Sequence, residues 1–312
     1  MAVDLDAGVP LPAALGRSAT ATEVLWPSLP LVIVGLTTAS SESDPTRAIP
    51  REWLDVIDVA VHPAGSAMAD LEQTFATNPV AATVLALLLR GSDRRGAAEG
   101  LAAESAAYST LQAGPEFARW RAGRPMRDRV DDDQPRVRCR RHGDRLEITL
   151  SRPDTRNALD ARMRDELCEA FLLAALDDAL NVHIQGEGSS FCAGGDLDEM
   201  GSRDDPATAH LTRLHRSPAR LLATVASRTM AHLHGACVGS GVELPAFAAR
   251  VVVAPDTFFC LPEVRLGLVP GAGGTVSLPA RIGRHRTAWL ALTGRQVDAT
   301  TAIAWGLADD QT

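Results

Sequence analysis

An α/β fold is the prediction for residues 137–312, and three observations carry it. Strand-like and helix-like runs alternate along this stretch, and glycine-rich turns sit where one run gives way to the next. The whole chain of 312 residues is 46% apolar and 22% charged, which is globular composition and excludes disorder, collagen and coiled coil. Taken in order, residues 137–150 alternate apolar and polar side chains around His142-Gly-Asp144, the pattern of a hairpin. Residues 163–180 have the apolar spacing of an amphipathic helix, and 181–185 form a short strand. A long turn follows, Gly186-Glu-Gly-Ser-Ser-Phe-Cys-Ala-Gly-Gly-Asp196. Residues 210–225 read as one helix and 229–234 as a strand ending at Gly235. Val238-Gly-Ser-Gly-Val-Glu243 then turns into a helix, 250–254 is a strand, and Pro270-Gly-Ala-Gly-Gly-Thr275 opens another helix.

The first third differs in texture, and the length alone favours two domains. Residues 1–54 are an unassigned leader rich in Pro, Ser and Thr, with one strand-like run, Leu31-Val-Ile-Val-Gly-Leu36. Residues 55–122 start with a second short apolar run at 56–61 and continue as helix. Leu71, Phe75, Val80, Val84, Leu87 and Leu88 fall near helical spacing, 101–120 form a second helical block, and Tyr108 is expected to pack inside it. Residues 123–136, with Arg124, Pro125, Asp131, Asp132, Asp133 and Pro135, are a solvated linker to the unit 137–312.

The formal charge is −8, from 39 acidic and 31 basic residues, and every basic residue is Arg. That balance argues against nucleic acid as a partner while leaving room for a local anion site. The N-terminus lacks a secretory signal, and the longest apolar stretch, 80–89, is about half a membrane span, so no membrane association and a cytoplasmic location are expected. Five cysteines without a CxxC pair fit reduced thiols better than disulfides or a zinc site. His232 and His234 share a strand face but lack a third ligand, so no metal is expected.

The glycine turns exclude several chemistries. With no Lys there is no P-loop, Leu244 breaks the dinucleotide fingerprint, and Val238 and Val242 occupy the glycine positions a nucleophile elbow around Ser240 needs. The Ser240 N–H, at a helix start, remains a good anion donor. Glu243 and Glu263 are each embedded in apolar sequence, where an unpaired carboxylate is costly. They are either salt-bridged or helix-start carboxylates, or a general acid/base pair beside backbone anion donors.

Four motifs resemble the enoyl-CoA hydratase/isomerase (crotonase) family: Ser151-Arg-Pro-Asp-Thr-Arg-Asn-Ala-Leu-Asp160, Phe191-Cys-Ala-Gly-Gly-Asp-Leu197, His234-Gly-Ala-Cys-Val-Gly-Ser-Gly-Val-Glu-Leu244 and Leu261-Pro-Glu-Val-Arg-Leu-Gly-Leu-Val-Pro-Gly-Ala-Gly-Gly-Thr275. The resemblance implies the crotonase-like (ClpP/crotonase) spiral of ββα repeats and a cofactor-free enzyme on an acyl-CoA substrate, assembled as a homotrimer or hexamer. It implies an oxyanion hole from the backbone N–H groups of Gly195 and Ser240. Glu243 would orient and deprotonate water, Glu263 would handle the proton at C2, and the Gly271 amide would position water or substrate. Arg152, Arg156, Ala158, Ala193, Asp196 and Leu197 fall where the family wraps CoA, and without Lys the two arginines are the candidates for its phosphates. Both glutamates favour a hydratase (hydro-lyase); an isomerase, an aryl-acetyl-CoA oxygenase-like enzyme and a non-catalytic subunit are the alternatives.

Three departures matter. Ser240 stands where Gly is usual, and Pro245 falls early in the helix after Glu243, where a kink would shift that carboxylate. The family's helical tail would follow a segment like 304–309, yet the sequence stops at Thr312. Instead, 56–61 resembles the tail strand, and 75–90, 100–105 and Glu116-Phe117 resemble the tail helices. A permuted order is therefore expected, with 55–122 packing against the Glu243 and Glu263 pocket. The walls of the acyl pocket are expected in 198–215 and in that helical block, where nothing fixes chain length.

Overall fold

The computed structural model describes residues 1–7, 29–39, 44, 46, 49–125, 133–202 and 205–312. Most of the leader, residues 126–132 of the linker and residues 203–204 of the expected acyl wall lie outside the described residues.

The chain begins with a parallel three-stranded sheet, β1 (Ala2–Asp4), β2 (Val34–Leu36) and β3 (Val59–Val61), in the order β1-β2-β3. Four helices follow: α1 (Ser66–Thr77), α2 (Pro79–Arg90), α3 (Ala97–Gln112) and α4 (Pro115–Ala122). Each of the two expected helical blocks is thus split, at Asn78-Pro79 and at Gly114-Pro115, because proline starts a helix readily and interrupts one it sits inside. The α2 start has no side-chain cap of its own; the Glu116 carboxylate from α4 accepts from the Val80 and Ala81 amides at 2.8 and 2.9 Å.

The second part begins with the predicted hairpin, β4 (Val137–His142) and β5 (Arg145–Leu150), closed by Gly143-Asp144. Helix α5 (Ala161–Leu176) starts two residues earlier than the apolar pattern, because Asp160 caps it by accepting from the Met163 amide. Strand β6 (Asn181–Gly186) follows. The single helix expected over 210–225 is two, α6 (Pro206–His215) and α7 (Pro218–Val225), since Ser217-Pro218 starts a new helix with its own serine cap. Then come β7 (Thr229–Leu233), β8 (Ala236–Val238), the one-turn α8 (Ser240–Glu243), β9 (Arg250–Val253) and β10 (Phe258–Cys260). The chain closes with α9 (Gly274–Ile282), α10 (Arg284–Thr293), β11 (Val297–Asp298), α11 (Ala299–Trp305) and β12 (Asp310–Gln311).

A six-stranded sheet in the order β12-β9-β7-β6-β5-β4 is parallel except at the hairpin, and a small sheet, β11-β10-β8, stands beside it. The helices cover these sheets, as an α/β architecture requires.

The helical block is continuous with this body. One core cluster runs from Leu71, Leu85 and Phe117 through Ile148, Phe171 and Phe259 to Leu278 and Leu290. The Thr74 hydroxyl donates to the Leu292 carbonyl at 2.8 Å. Asp58, just before β3, makes a buried ion pair with Arg90 of α2, accepts the Ile33 amide, and lies 3.7 Å from Arg284 of α10. A smaller cluster with Ile33, Trp53 and Ile57 packs the leader sheet. Among the described residues no helix is long and apolar enough to cross a membrane.

Candidate active site

Two loops meet at the centre of the second part. The backbone of Cys192 pairs with that of Cys237: Cys192 N–H donates to Ala236 O, and Val238 N–H donates to Cys192 O. This pairing sets two glycine turns side by side. Gly194 (φ +93°) approaches the Val238 carbonyl, and a Cβ on Gly239 (φ +50°) would fall 3.6 Å from the Gly194 Cα and 2.4 Å from Glu263 Oε1. Only glycine fits such backbone angles at such separations. The next residues are Gly195 and Ser240, whose amides donate to no acceptor among the described residues. Two adjacent unpaired donors, one at the first residue of α8, form the pair an oxyanion needs.

The carboxylates converge on the same point. Glu243, at the end of α8, is 2% exposed, and its Oε2 accepts from the Ala272 and Gly274 amides at 2.7 and 2.9 Å. Pro245 does not displace it. The α-helix ends after one turn, and the chain runs on as a 3₁₀ turn, Pro245–Phe247, so the proline sits at a helix start rather than inside a helix. Glu263 is 6% exposed, and its Oε2 is buried without a hydrogen-bond partner among the described residues. Burial raises both groups: Glu263 is pushed up to about 8, with the Glu104 charge adding to the effect. Glu243 is raised well above the ordinary carboxylate range, first by burial and then by Glu263 and Glu104, against the pull of its two amide donors.

Glu104 is the residue that sequence reasoning missed. It projects from α3, is 2% exposed, and accepts from the Gly273 amide (Oε1, 2.7 Å), the Thr275 amide (Oε2, 2.8 Å) and the Thr275 hydroxyl (Oε2, 2.7 Å). The four amides of residues 272–275 are therefore shared alternately between Glu243 and Glu104. Burial lifts Glu104 to about 7, opposed by these donors. Its sequence signal was a lone carboxylate in a run of small apolar residues, Gly100-Leu-Ala-Ala-Glu-Ser105.

All these groups face one cavity of about 440 Å³, lined also by Leu101, Tyr108, Leu159, Asp196 and Ala219. That is room for a small organic chain. Tyr108 is not confined to the helical block as expected: its ring lies in the cavity against Gly271, where an added Cβ would come 2.5 Å from Cδ2. The Gly271 amide has no acceptor among the described residues.

The expected CoA-contacting residues separate. Asp196 borders the cavity and is paired with Arg152 at 2.8 Å. The Arg152 guanidinium, 9% exposed, also meets Asp160 and the Ala158 carbonyl, so it is committed to the interior and does not reach the cavity. Arg156 is exposed in a left-handed backbone conformation (φ 53°), and its carbonyl accepts the Ala193 amide. Ala158, Ala193 and Leu197 flank this loop without lining the cavity. His232 pairs with His183 across β7 and β6, ring nitrogens 3.0 Å apart, and His234 Nε2 lies 3.0 Å from the Gly188 carbonyl. Among the described residues no group of three or more potential ligands is placed to hold a metal.

Residues 143–311, more than half of the chain, match the family model described as enoyl-CoA hydratase/isomerase. The chain is 37% identical over 166 residues to 2,3-dehydroadipyl-CoA hydratase of Escherichia coli (strain K12), covering 53% of this chain and 64% of that one. It is 35% identical over 176 residues to carnitinyl-CoA dehydratase of Citrobacter koseri, covering 54% and 64%. The chain thus spans slightly under two thirds of the length of these relatives. Among solved structures, enoyl-CoA hydratase from Thermoplasma volcanium superposes with a TM-score of 0.52 at 34% identity, covering 57% of this chain and 72% of that one.

Proposed function

The chain belongs to the enoyl-CoA hydratase/isomerase family and has its crotonase fold, and from that premise we propose that it adds water, syn, across the double bond of a 2-enoyl-CoA. The observation that carries this proposal is the retention of two buried glutamates, Glu243 and Glu263, facing one cavity with the unpaired amides of Gly195 and Ser240. A thioester oxygen bound by both amides becomes an enolate oxyanion as water adds, and losing one such donor typically costs about 3–4 kcal/mol of barrier.

The surroundings divide the proton work. Two amide donors hold Glu243 Oε2 in place, and its carboxylate, once ionised against the burial that raises it, would take a proton from water attacking C3. Glu263 has no donor on Oε2 and stays protonated to about 8, which suits it to deliver the proton at C2. The Gly271 amide then steadies the water. CoA enters as part of the substrate, along the two paired loops that carry Leu159 and Asp196.

Residues 55–122 belong to this proposal. Glu104 and Tyr108 put α3 into the cavity wall, which supports the view that this block serves where other members use a C-terminal helical tail, in a permuted order. The test is the purified protein with crotonyl-CoA and longer enoyl-CoAs, following loss of the enoyl absorbance. No loss at any chain length, with CoA thioesters still bound, rejects the hydratase; a shift of the double bond without water uptake replaces it by an isomerase.

A further inference from the structure

We propose that Arg213 and Tyr108 close the far end of the acyl cavity and select enoyl-CoA substrates whose chain ends in a carboxylate. This rests on the hydratase proposal for the reacting end and adds the substrate class.

Placement comes first. The Gly271 backbone lies against the Tyr108 ring, the Arg213 guanidinium Cζ lies 4.7 Å from that ring's centroid, and all three residues line the cavity. Arg213 is on α6 and Tyr108 on α3, so the pair spans the two helices that wall this end.

Charge comes second. Arg213 is half-buried, and its Nε and Nη2 donate to the hydroxyls of Ser105 and Ser109. Those partners are neutral, and Arg213 has no carboxylate within ion-pair distance among the described residues. Each hydroxyl has a second partner, His210 Nδ1 for Ser105 and the Pro206 carbonyl for Ser109, which fixes the guanidinium in place. Glu104 senses the Arg213 charge, yet both its oxygens are taken, by the Gly273 amide and by Thr275. A cation drawn part-way out of water and held beside an aromatic wall is stabilised by an anion. A guanidinium with free N–H groups offers a planar carboxylate a paired contact that a methyl end cannot use. An alkyl terminus here would desolvate the guanidinium and replace none of its hydrogen bonds.

The experiment compares 2-enoyl-CoAs ending in a carboxylate with methyl-ended ones of equal length, five to eight carbons, on the wild-type enzyme and on Arg213→Gln and Arg213→Lys. The expected result is a wild-type kcat/KM ratio above ten in favour of the carboxylate. That ratio falls at least tenfold in Arg213→Gln, mainly through KM, and is partly kept in Arg213→Lys. A wild-type ratio of one or less overturns the proposal. So does an equal loss on both substrates in Arg213→Gln, which makes Arg213 a counter-charge for the glutamates instead. If neither thioester is hydrated, the hydratase proposal has failed separately, and the ratio of the two dissociation constants by calorimetry decides this one by the same criteria.

Discussion

The starts of α2 and α9 use one device to different ends. At α2 the exposed ends of the first-turn amides are taken by a single carboxylate, Glu116, which arrives from α4 and uses both oxygens. At α9 the same kind of amides are shared by two carboxylates, Glu243 and Glu104, with Glu263 as a third close by. A helix start carries about half a positive charge. One glutamate therefore satisfies the first site, whereas the second holds more acid than its helix can balance. The surplus is what separates a cap from a site that can move protons.

The largest expected effect breaks the surplus itself. Glu243→Gln or Glu263→Gln should lower hydration by about 10²–10⁴-fold each, read by enoyl absorbance, because each removes a proton acceptor or donor. Glu116→Gln, made at the other helix start, should leave turnover in place. Unchanged turnover in both active-site variants would refute their roles.

Glu104→Ala should come next. It strands the Gly273 and Thr275 amides and the Thr275 hydroxyl, and should cost about 2–4 kcal/mol in denaturant unfolding. Because the same turn carries Gly271, kcat should fall as well, with partial recovery in Glu104→Gln. A stability loss without a change in kcat would leave Glu104 as scaffold only.

The third expectation concerns pH. Folded-state values of about 7 for Glu104 and about 8 for Glu263 lie above the ordinary 4.5. Between these limits the folded protein holds more protons than the unfolded chain, so stability is full below about 4.5 and falls as pH rises to about 8. Unfolding midpoints from pH 4.5 to 8 should show this slope, and Glu104→Gln should flatten it. The smallest effect belongs to Glu116→Ala, about 1 kcal/mol of stability, read by denaturant unfolding.

Much of the candidate site's geometry was legible because its signals are local. Gly194 and Gly239 are demanded by backbone angles, and the residue after each carries the donor, so motif position alone located Gly195 and Ser240. Glu243 and Glu263 stood out as acids in apolar sequence. What was not legible depends on distant partners. Arg152 resembles a surface phosphate contact until Asp160 and Asp196 fold around it. Glu104 looks like one polar residue in a helix until α9 presents four amides to it and Glu243. The split of 210–225 into α6 and α7 was locally written, in Ser217-Pro218, but apolar spacing masked it.

The hydrogen bonds from Glu104 to Gly273 and Thr275 join residues 169 and 171 positions apart. During synthesis α3 leaves the ribosome long before α9 exists, so the first third must wait, folded or not, for the last turn to emerge. Closure of the cavity then reports that both distant parts of the sequence have been made and have met. If the hydratase proposal holds, activity is expected late in folding, and hydration appearing after the burial of tryptophan in a refolding experiment would be its kinetic signature.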